Sequence, residues 1–465
     1  MLTSLRVRNF KAWKDTGEVR LAPLTVIFGT NSAGKSSLGH LLLALKQTAL
    51  ATDRKRALHL GDTNTLIDLG TFKDCLYGHD LSAGLEFNLA WDLPKPLTFR
   101  DLHVHERRTP YSGNALSLNA LLKASKKEQP EMQGFSYDLR NGIESVLFVE
   151  HALNGGGRWK LSSGRGKYNF VPSVGRQWDL TEPEKFYRVS ETSLSRYQNA
   201  GFLTQFALAT ERMLSGISYL GPLRNHPQRT YQWSGDTPED VGQKGEFAVP
   251  AILAARDDGR RLNRGKKRKT QHFAEFIAEW LTEMGVIHSF SVEPVAEGRK
   301  EFEVLIKTQA WSPEVKITDV GFGVSQVLPA LVQAFYCPPN STVWMEQPEI
   351  HLHPQVQSVL ADVFISAVQS FQNEQARNVQ LIVESHSEHF LIRLQRRIAE
   401  ERIKPSEVAI YFCRNTEAGA VLESLDLNLF GEIKNWPKDF FGDQMGDLSA
   451  RTIAAMKRKL KGAGG

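Results

Sequence analysis

The residues with the clearest chemistry are Gly29-Thr30-Asn31-Ser32-Ala33-Gly34-Lys35-Ser36, followed by Ser37. They fit the pattern G-x-x-x-x-G-K-[ST], whose chemistry is to grip phosphate. The two glycines let the backbone wrap closely, so that amide hydrogens and a helix N-terminus can face an anion. Lys35 is placed to reach β- and γ-phosphates, and Ser36 to ligate Mg²⁺. The flanks agree with this. Leu24–Phe28 is a short apolar run suited to a buried parallel strand, and 36–49 reads as a helix. The competing reading is a plain glycine-rich turn, which would need neither the lysine nor the serine.

Three more clusters follow apolar runs or open helices. Thr342-Val-Trp-Met-Glu346-Gln347-Pro348-Glu349 is a strand ending in acid, the form of a Walker B element. Its carboxylate falls at a strand's C-terminal edge, where α/β sheets bind ligands. Asp319-Val-Gly321-Phe-Gly323-Val-Ser325-Gln326 opens a predicted helix, and two glycines, a serine and a glutamine there can meet a phosphate. Glu384-Ser385-His386-Ser387 follows the run LIV and sets His386 where it can contact a γ-phosphate. Each cluster alone is commonplace. In this order, behind the phosphate loop, they support one another.

The elements that must position these groups are expected as an α/β fold. Strand and helix alternate from 271 onward, which argues for a parallel sheet. Four regions are expected: 1–80, the N-terminal half of an ATPase head with the phosphate loop; 81–215, a β-rich and partly helical insertion; 216–425, the C-terminal half with the remaining motifs; and 426–465, a small C-terminal domain with a basic tail. No heptads sustain a coiled-coil arm, and no internal repeat is visible.

The order of motifs resembles that of ABC-type ATPases, and Leu5-Arg-Val-Arg-Asn-Phe-Lys-Ala-Trp13 resembles the first strand of their SMC, RecF and OLD branch. GTFKDCLYGHD (70–80), YLGPLRNHPQRTYQWSG (219–235), DVGFGVSQVLP (319–329), EQPEIHLHP (346–354), ESHSEHFLIRLQRRI (384–398) and EIKNWPKDFFGD (432–443) look like bacterial OLD-like AAA ATPases with a short C-terminal domain of unknown function. The resemblance implies a P-loop ABC-type head that binds ATP and Mg²⁺ and pairs head to tail with a second copy. It implies that Gly29–Ser37 of one copy and Gly321, Gly323, Ser325 and Gln326 of the other enclose the nucleotide. Ser325 and Gly323 would reach the γ-phosphate in trans, and His386 in cis. Ser36 and Glu346 are then the expected metal residues, and Glu346, Gln347, Glu349 and His386 the expected catalytic set. Relatives of this type occur in anti-phage systems, where a companion toxin or nuclease acts. The residues after His386 lack the acidic pattern of a Toprim nuclease, so nuclease activity is expected from a separate partner.

One departure bears on rate. The usual Walker B pair is Asp-Glu, and here it is Glu346-Gln347. A neutral amide can orient water but cannot take its proton, and general-base catalysis contributes about 10²–10⁴-fold. Either hydrolysis is slow or another carboxylate substitutes, Glu349 being nearest and Glu346 able to shift roles; slow hydrolysis is the expectation.

Other residues carry two readings each. Arg224 faces phosphate or the other subunit, or else fixes a loop. Gln47 packs or caps. Phe72 and Asp74 sit where a Q-loop-like segment could lie. Asn9, Lys11 and Trp13 lie near adenine or simply pack, the latter preferred for Trp13. His351, His353, His386 and His389 with Glu384 lack zinc spacing. The run Arg256–Lys269 holds eight Lys or Arg against two Asp. It offers salt-sensitive nucleic-acid contacts, partner docking, or only a solvated loop. A DNA clamp of RecF or SMC type in repair or maintenance is therefore the alternative function.

Composition narrows the class. The chain has 465 residues, 41% hydrophobic and 23% charged, which excludes a disordered or collagen-like protein. No apolar run reaches the length of a membrane span, and the start lacks a secretion signal's apolar core. Three dispersed cysteines give no disulfide ladder, so a cytoplasmic setting is expected. The net charge of +5 permits a nucleic-acid partner without requiring one.

Overall fold

The computed structural model describes residues 1–101, 110–164, 168–175, 178–265, 268–437, 440 and 450–451, and for Phe322 the backbone alone. Lys266, Lys267, Phe441 and the basic tail of the sequence reading lie outside the described residues.

The central sheet has six strands in the order Ile217–Leu220, Thr342–Glu346, Gln380–Glu384, Leu24–Gly29, Val408–Thr416, Gly419–Ser424. All neighbours are parallel except the last pair. The strands are apolar almost throughout because both faces are covered. Val26, Phe28, Val343, Met345, Leu381 and Val383 point into one core, with helices Ala248–Asp257, Phe273–Glu283, Phe322–Tyr336, Pro354–Val368 and Glu388–Ala399. Ile27, Trp344, Ile382, Tyr411 and Cys413 point into a second core with helix Lys35–Leu50. The fold is thus mixed α/β with sheets flanked by helices, as expected.

The second core is closed by an eight-stranded antiparallel sheet. Its order is Trp13–Asp15, Leu2–Phe10, Leu85–Phe99, Tyr111–Ala124, Pro130–Asn141, Glu144–Leu153, Trp159–Ser163, with Val19–Arg20 also on Leu2–Phe10. The strands of the 81–215 region therefore extend the sheet begun by the N-terminal strand, in register Leu5 opposite Leu89 and Val7 opposite Phe87. Alternation places Leu85, Phe87, Leu89 and Trp91 inward. Helix Phe202–Ser215 packs against helix Lys35–Leu50 under this sheet. That position explains why the phosphate-loop helix is buried on nearly all sides: Leu38, Leu41, Leu42, Leu43 and Leu45 are all inside. Two small sheets complete the chain, one built on Ser289–Pro294 and Glu301–Lys307, the other on Arg261–Asn263.

The basic run is folded rather than a free loop. Arg256 donates to the Val292 carbonyl, Arg260 to the Tyr336 carbonyl beneath the Tyr336 ring, and Arg264 to Glu283 while lying 3.9 Å from the Trp280 ring centroid. The solvated-loop reading fails for these three because each guanidinium has a built partner. Among the described residues, Arg256, Arg261, Arg268 and Lys269 are exposed. At the far end, Phe440 packs on Phe28 and Phe412 of the central sheet. Among the described residues no helix is long and apolar enough to cross a membrane.

Candidate active site

The parallel register brings the separate motifs to one edge. Glu346 and Glu384 are direct partners on adjacent strands, and Glu384 is in turn the partner of Ile27, two residues before Gly29. The phosphate loop leaves the same edge and enters its helix at Gly34, in the left-handed region at φ 90° with no side-chain cap. A side chain at Gly34 would also meet Ala12 Cβ at 2.9 Å and Trp13 Nε1 at 3.2 Å. Trp13 is fully buried behind the loop and donates to the Gly34 carbonyl at 3.1 Å and to Ser37 Oγ at 2.9 Å. Its place is packing, the preferred of its two readings. Lys35 Nζ donates to the carbonyls of Gly29 and Thr30 at 3.1 and 2.8 Å. Asn31 and Ser32 are exposed, with Ser32 left-handed at φ 59°. Ala33 is buried and its carbonyl accepts from Cys413.

The carboxylates divide their contacts. Glu346 Oε1 accepts from Tyr219 at 2.7 Å and lies 3.5 Å from His40 Nε2. Burial opposes its ionisation, yet His40, Tyr219 and nearby Ser36 hold it below the usual range. The Ser36 hydroxyl donates to Glu384 Oε2 at 2.8 Å, and Trp344 Nε1 donates to Glu384 Oε1 at 2.7 Å. Burial, then the charge of Glu346, push Glu384 up to about 8. Glu349 Oε1 accepts from Ser385 at 2.8 Å and from the His386 amide at 2.6 Å, while its buried Oε2 has no hydrogen-bond partner among the described residues. Burial raises its pKa. His386 is exposed; partial burial, then the charge of Lys35, lower its pKa, which makes it neutral at pH 7. Gln347 sits in the left-handed region at φ 44°, its amide donating to the Glu384 carbonyl.

Arg224 is 9% exposed, and one nitrogen donates to the Glu346 carbonyl at 3.4 Å. Its Nε and a second terminal nitrogen have no partner among the described residues. Burial lowers its pKa to about 10. Among the described residues Arg224 forms no salt bridge, and it fixes its loop through the Glu346 carbonyl instead.

The segment 321–326 divides by exposure. Gly321 is exposed at the helix start and Gly323 is half-buried, whereas Ser325 and Gln326 are 7% and 3% exposed. In the single chain the Ser325 side chain is thus buried, and the exposed group of this segment is Gly321. Gln47 holds the loop at His59 and Ile67, as packing. Asp74 caps a short helix with Thr71, and Phe72 is buried beside it. Asn9 and Lys11 donate to the Gly84 and Leu69 carbonyls. His353 caps helix Pro354–Val368, His351 and His389 are exposed, and among the described residues no group of three His, Cys, Asp or Glu is placed to hold a metal alone. Sequence reasoning missed Glu384 and His40 as members of the site. The signal for Glu384 was its rank in the strand, level with Glu346.

Residues 239–391 match the family described as AAA ATPase domain. The chain carries an ATPase domain. That span holds the segments of Gly321, Glu346 and His386, and the phosphate loop lies before it. Residues 403–450 match a second family, described as protein of unknown function (DUF3696). Its span takes in strands Val408–Thr416 and Gly419–Ser424 of the central sheet. No curated protein matches the chain. Among solved structures the chain is loosely similar to an SmcHead bound to the C-winged helix domain of ScpA (12% identity, 92% of this chain, 98% of that chain, TM-score 0.40). It is similar in the same degree to the SMC head domain from Thermotoga maritima (10% identity, 91% and 99%, TM-score 0.40). A third is the Smc head domain with an extended coiled coil bound to the C-terminal domain of ScpA derived from Pyrococcus furiosus (10% identity, 92% and 96%, TM-score 0.38). Likeness at that level carries no functional weight.

Proposed function

We propose that this chain is a slow ATP-driven switch. Two copies pair head to tail around nucleotide, and the ATP-bound pair controls a separate effector, a nuclease or toxin, in bacterial defence against phage. The observation that carries the ATPase part is the convergence of Gly34, Lys35, Ser36, Glu346, Glu384 and His386 at the same edge of adjacent parallel strands. The residues present fit MgATP. An uncapped helix N-terminus and Lys35 suit the β- and γ-phosphates. Ser36, Glu346 and Glu384 form an oxygen set suited to Mg²⁺, which when bound neutralises charge on the phosphate oxygens. His386, uncharged, can donate one hydrogen bond to the terminal phosphate without holding it permanently. Gln347 can orient water but not deprotonate it, which supports slow turnover.

The effector and the defence setting rest on the sequence resemblance alone. The clamp alternative draws less support, because Arg256, Arg260 and Arg264 are spent on groups of the chain itself.

The test is equilibrium binding of a fluorescent ATP analogue, with mass by light scattering, for the wild type and Lys35→Ala. Nucleotide binding and nucleotide-dependent doubling of mass are expected for the wild type, and both should vanish in the variant. Unchanged affinity in Lys35→Ala would overturn the reading.

A further inference from the structure

We infer that Glu384, from the strand between the Walker B strand and the phosphate-loop strand, rather than Glu346, is the carboxylate that positions the Ser36 hydroxyl for the metal. This rests on the ATPase reading above and concerns which acid serves Mg²⁺ within it.

The hydrogen bonding assigns the roles. A serine hydroxyl has one proton and two lone pairs. Ser36 gives its proton to Glu384 Oε2 at 2.8 Å, a bond that fixes the hydroxyl and leaves its lone pairs for a cation. Glu346 comes off the same level of the sheet, but its Oε1 is engaged by Tyr219 and faces His40, and its carbonyl takes Arg224. It also lies within reach of the Ser36 hydroxyl, but the 2.8 Å bond that orients that hydroxyl goes to Glu384.

Packing holds Glu384 in place. Its other oxygen is fixed by Trp344 Nε1 at 2.7 Å. Trp344 is 1% exposed and lies against Gly39, where an added Cβ would come within 2.5 Å of the indole. Gly39 thus lets the phosphate-loop helix settle on Trp344, so that Ser36, Glu384 and Trp344 form one rigid unit.

Glu384 is a positioning residue here, so its test must separate metal from nucleotide. Affinity for a fluorescent ATP analogue is measured in chelator and across a Mg²⁺ titration for the wild type, Glu384→Gln, Glu384→Asp, Glu346→Gln and Ser36→Ala. Glu384→Gln is expected to keep the chelator affinity. It should need about tenfold or more Mg²⁺ for half of the metal-dependent gain, the usual scale for loss of a residue that orients a metal ligand. Glu384→Asp, which keeps the charge, should recover part of that gain. In the Ser36→Ala background, Glu384→Gln should change nothing further, because its effect passes through the hydroxyl. An unaltered Mg²⁺ requirement in Glu384→Gln would overturn the inference. So would an equal loss with and without metal, which a merely structural role would give, or a shift confined to Glu346→Gln. Failure of the wild type to bind the analogue at all would instead remove the ATPase reading itself.

Discussion

In the proposed mechanism Gln347 is the residue that limits turnover. It occupies the position expected to carry a base, and its backbone is left-handed at φ 44°. Gln347→Glu keeps the shape and adds an acceptor for the proton of an attacking water. Steady-state ATP hydrolysis is expected to rise by about 10²-fold, the lower end of what a positioned base contributes. Glu349→Ala should leave that faster variant active but reduce the wild type further, since Glu349 has an unpartnered oxygen beside the His386 amide. Unchanged turnover in Gln347→Glu, with Glu349→Ala inactive, would instead make Glu349 the base and refute slow switching by amide substitution. At this scale the phosphate loop was legible because one segment holds the entire device. Glu384 was not legible as a site residue. Its partner Ser36 is remote in sequence, and only the parallel register brings them together.

A second consequence concerns one strand of the outer sheet. His151, on Glu144–Leu153, is fully buried against Phe135 and Trp159, and neither ring nitrogen has a hydrogen-bond partner among the described residues. Burial lowers its pKa from 6.5 to about 4. The folded state therefore holds the neutral ring, while the unfolded chain takes up a proton as pH falls below 6.5. Stability from this group is full above pH 6.5 and is lost as pH drops toward 4. At pH 5 the loss is about 2 kcal/mol. His151→Phe should flatten this part of the pH dependence, read as a smaller drop in Tm between pH 7.5 and pH 5 than in the wild type. An equal drop in both would remove His151 as the cause. Element identity along this sheet was readable from alternation, as in Leu85, Phe87 and Leu89. Its attachment to Leu2–Phe10 was not, because distant antiparallel pairing is fixed by register and shared core rather than by any local pattern.

Across the whole molecule, the two sheets and the C-terminal segment meet at the phosphate loop. Phe28 precedes Gly29 at the end of its strand, and Phe440 packs on it with ring centroids 5.5 Å apart and on Phe412 at 4.6 Å. Phe440→Ala should cost about 3 kcal/mol through the cavity it leaves, and weaken ATP binding, checked by Tm and by analogue affinity. A lower Tm with unaltered affinity would separate this packing from the loop.

Pairing of two copies makes a stronger demand. In the proposed head-to-tail pair, each copy would lend its Gly321 region to the other's phosphate loop, so one variant's defect could be met by the other's intact part. Gly321→Glu is suited to test this. The backbone there, at φ −57° and ψ 152°, is open to any residue, and an added Cβ meets nothing within 4 Å, so the fold should tolerate it. The new carboxylate would face phosphate across the seam. Gly321→Glu alone should bind nucleotide yet fail to pair, and Lys35→Ala alone should fail at both. Mixed, they form one complete site, with Lys35 from the first and Gly321 from the second, and ATP hydrolysis absent from either alone should return. If the mixture stays inactive while both variants keep the wild-type Tm, the head-to-tail arrangement is refuted, whatever becomes of ATP binding by the single chain.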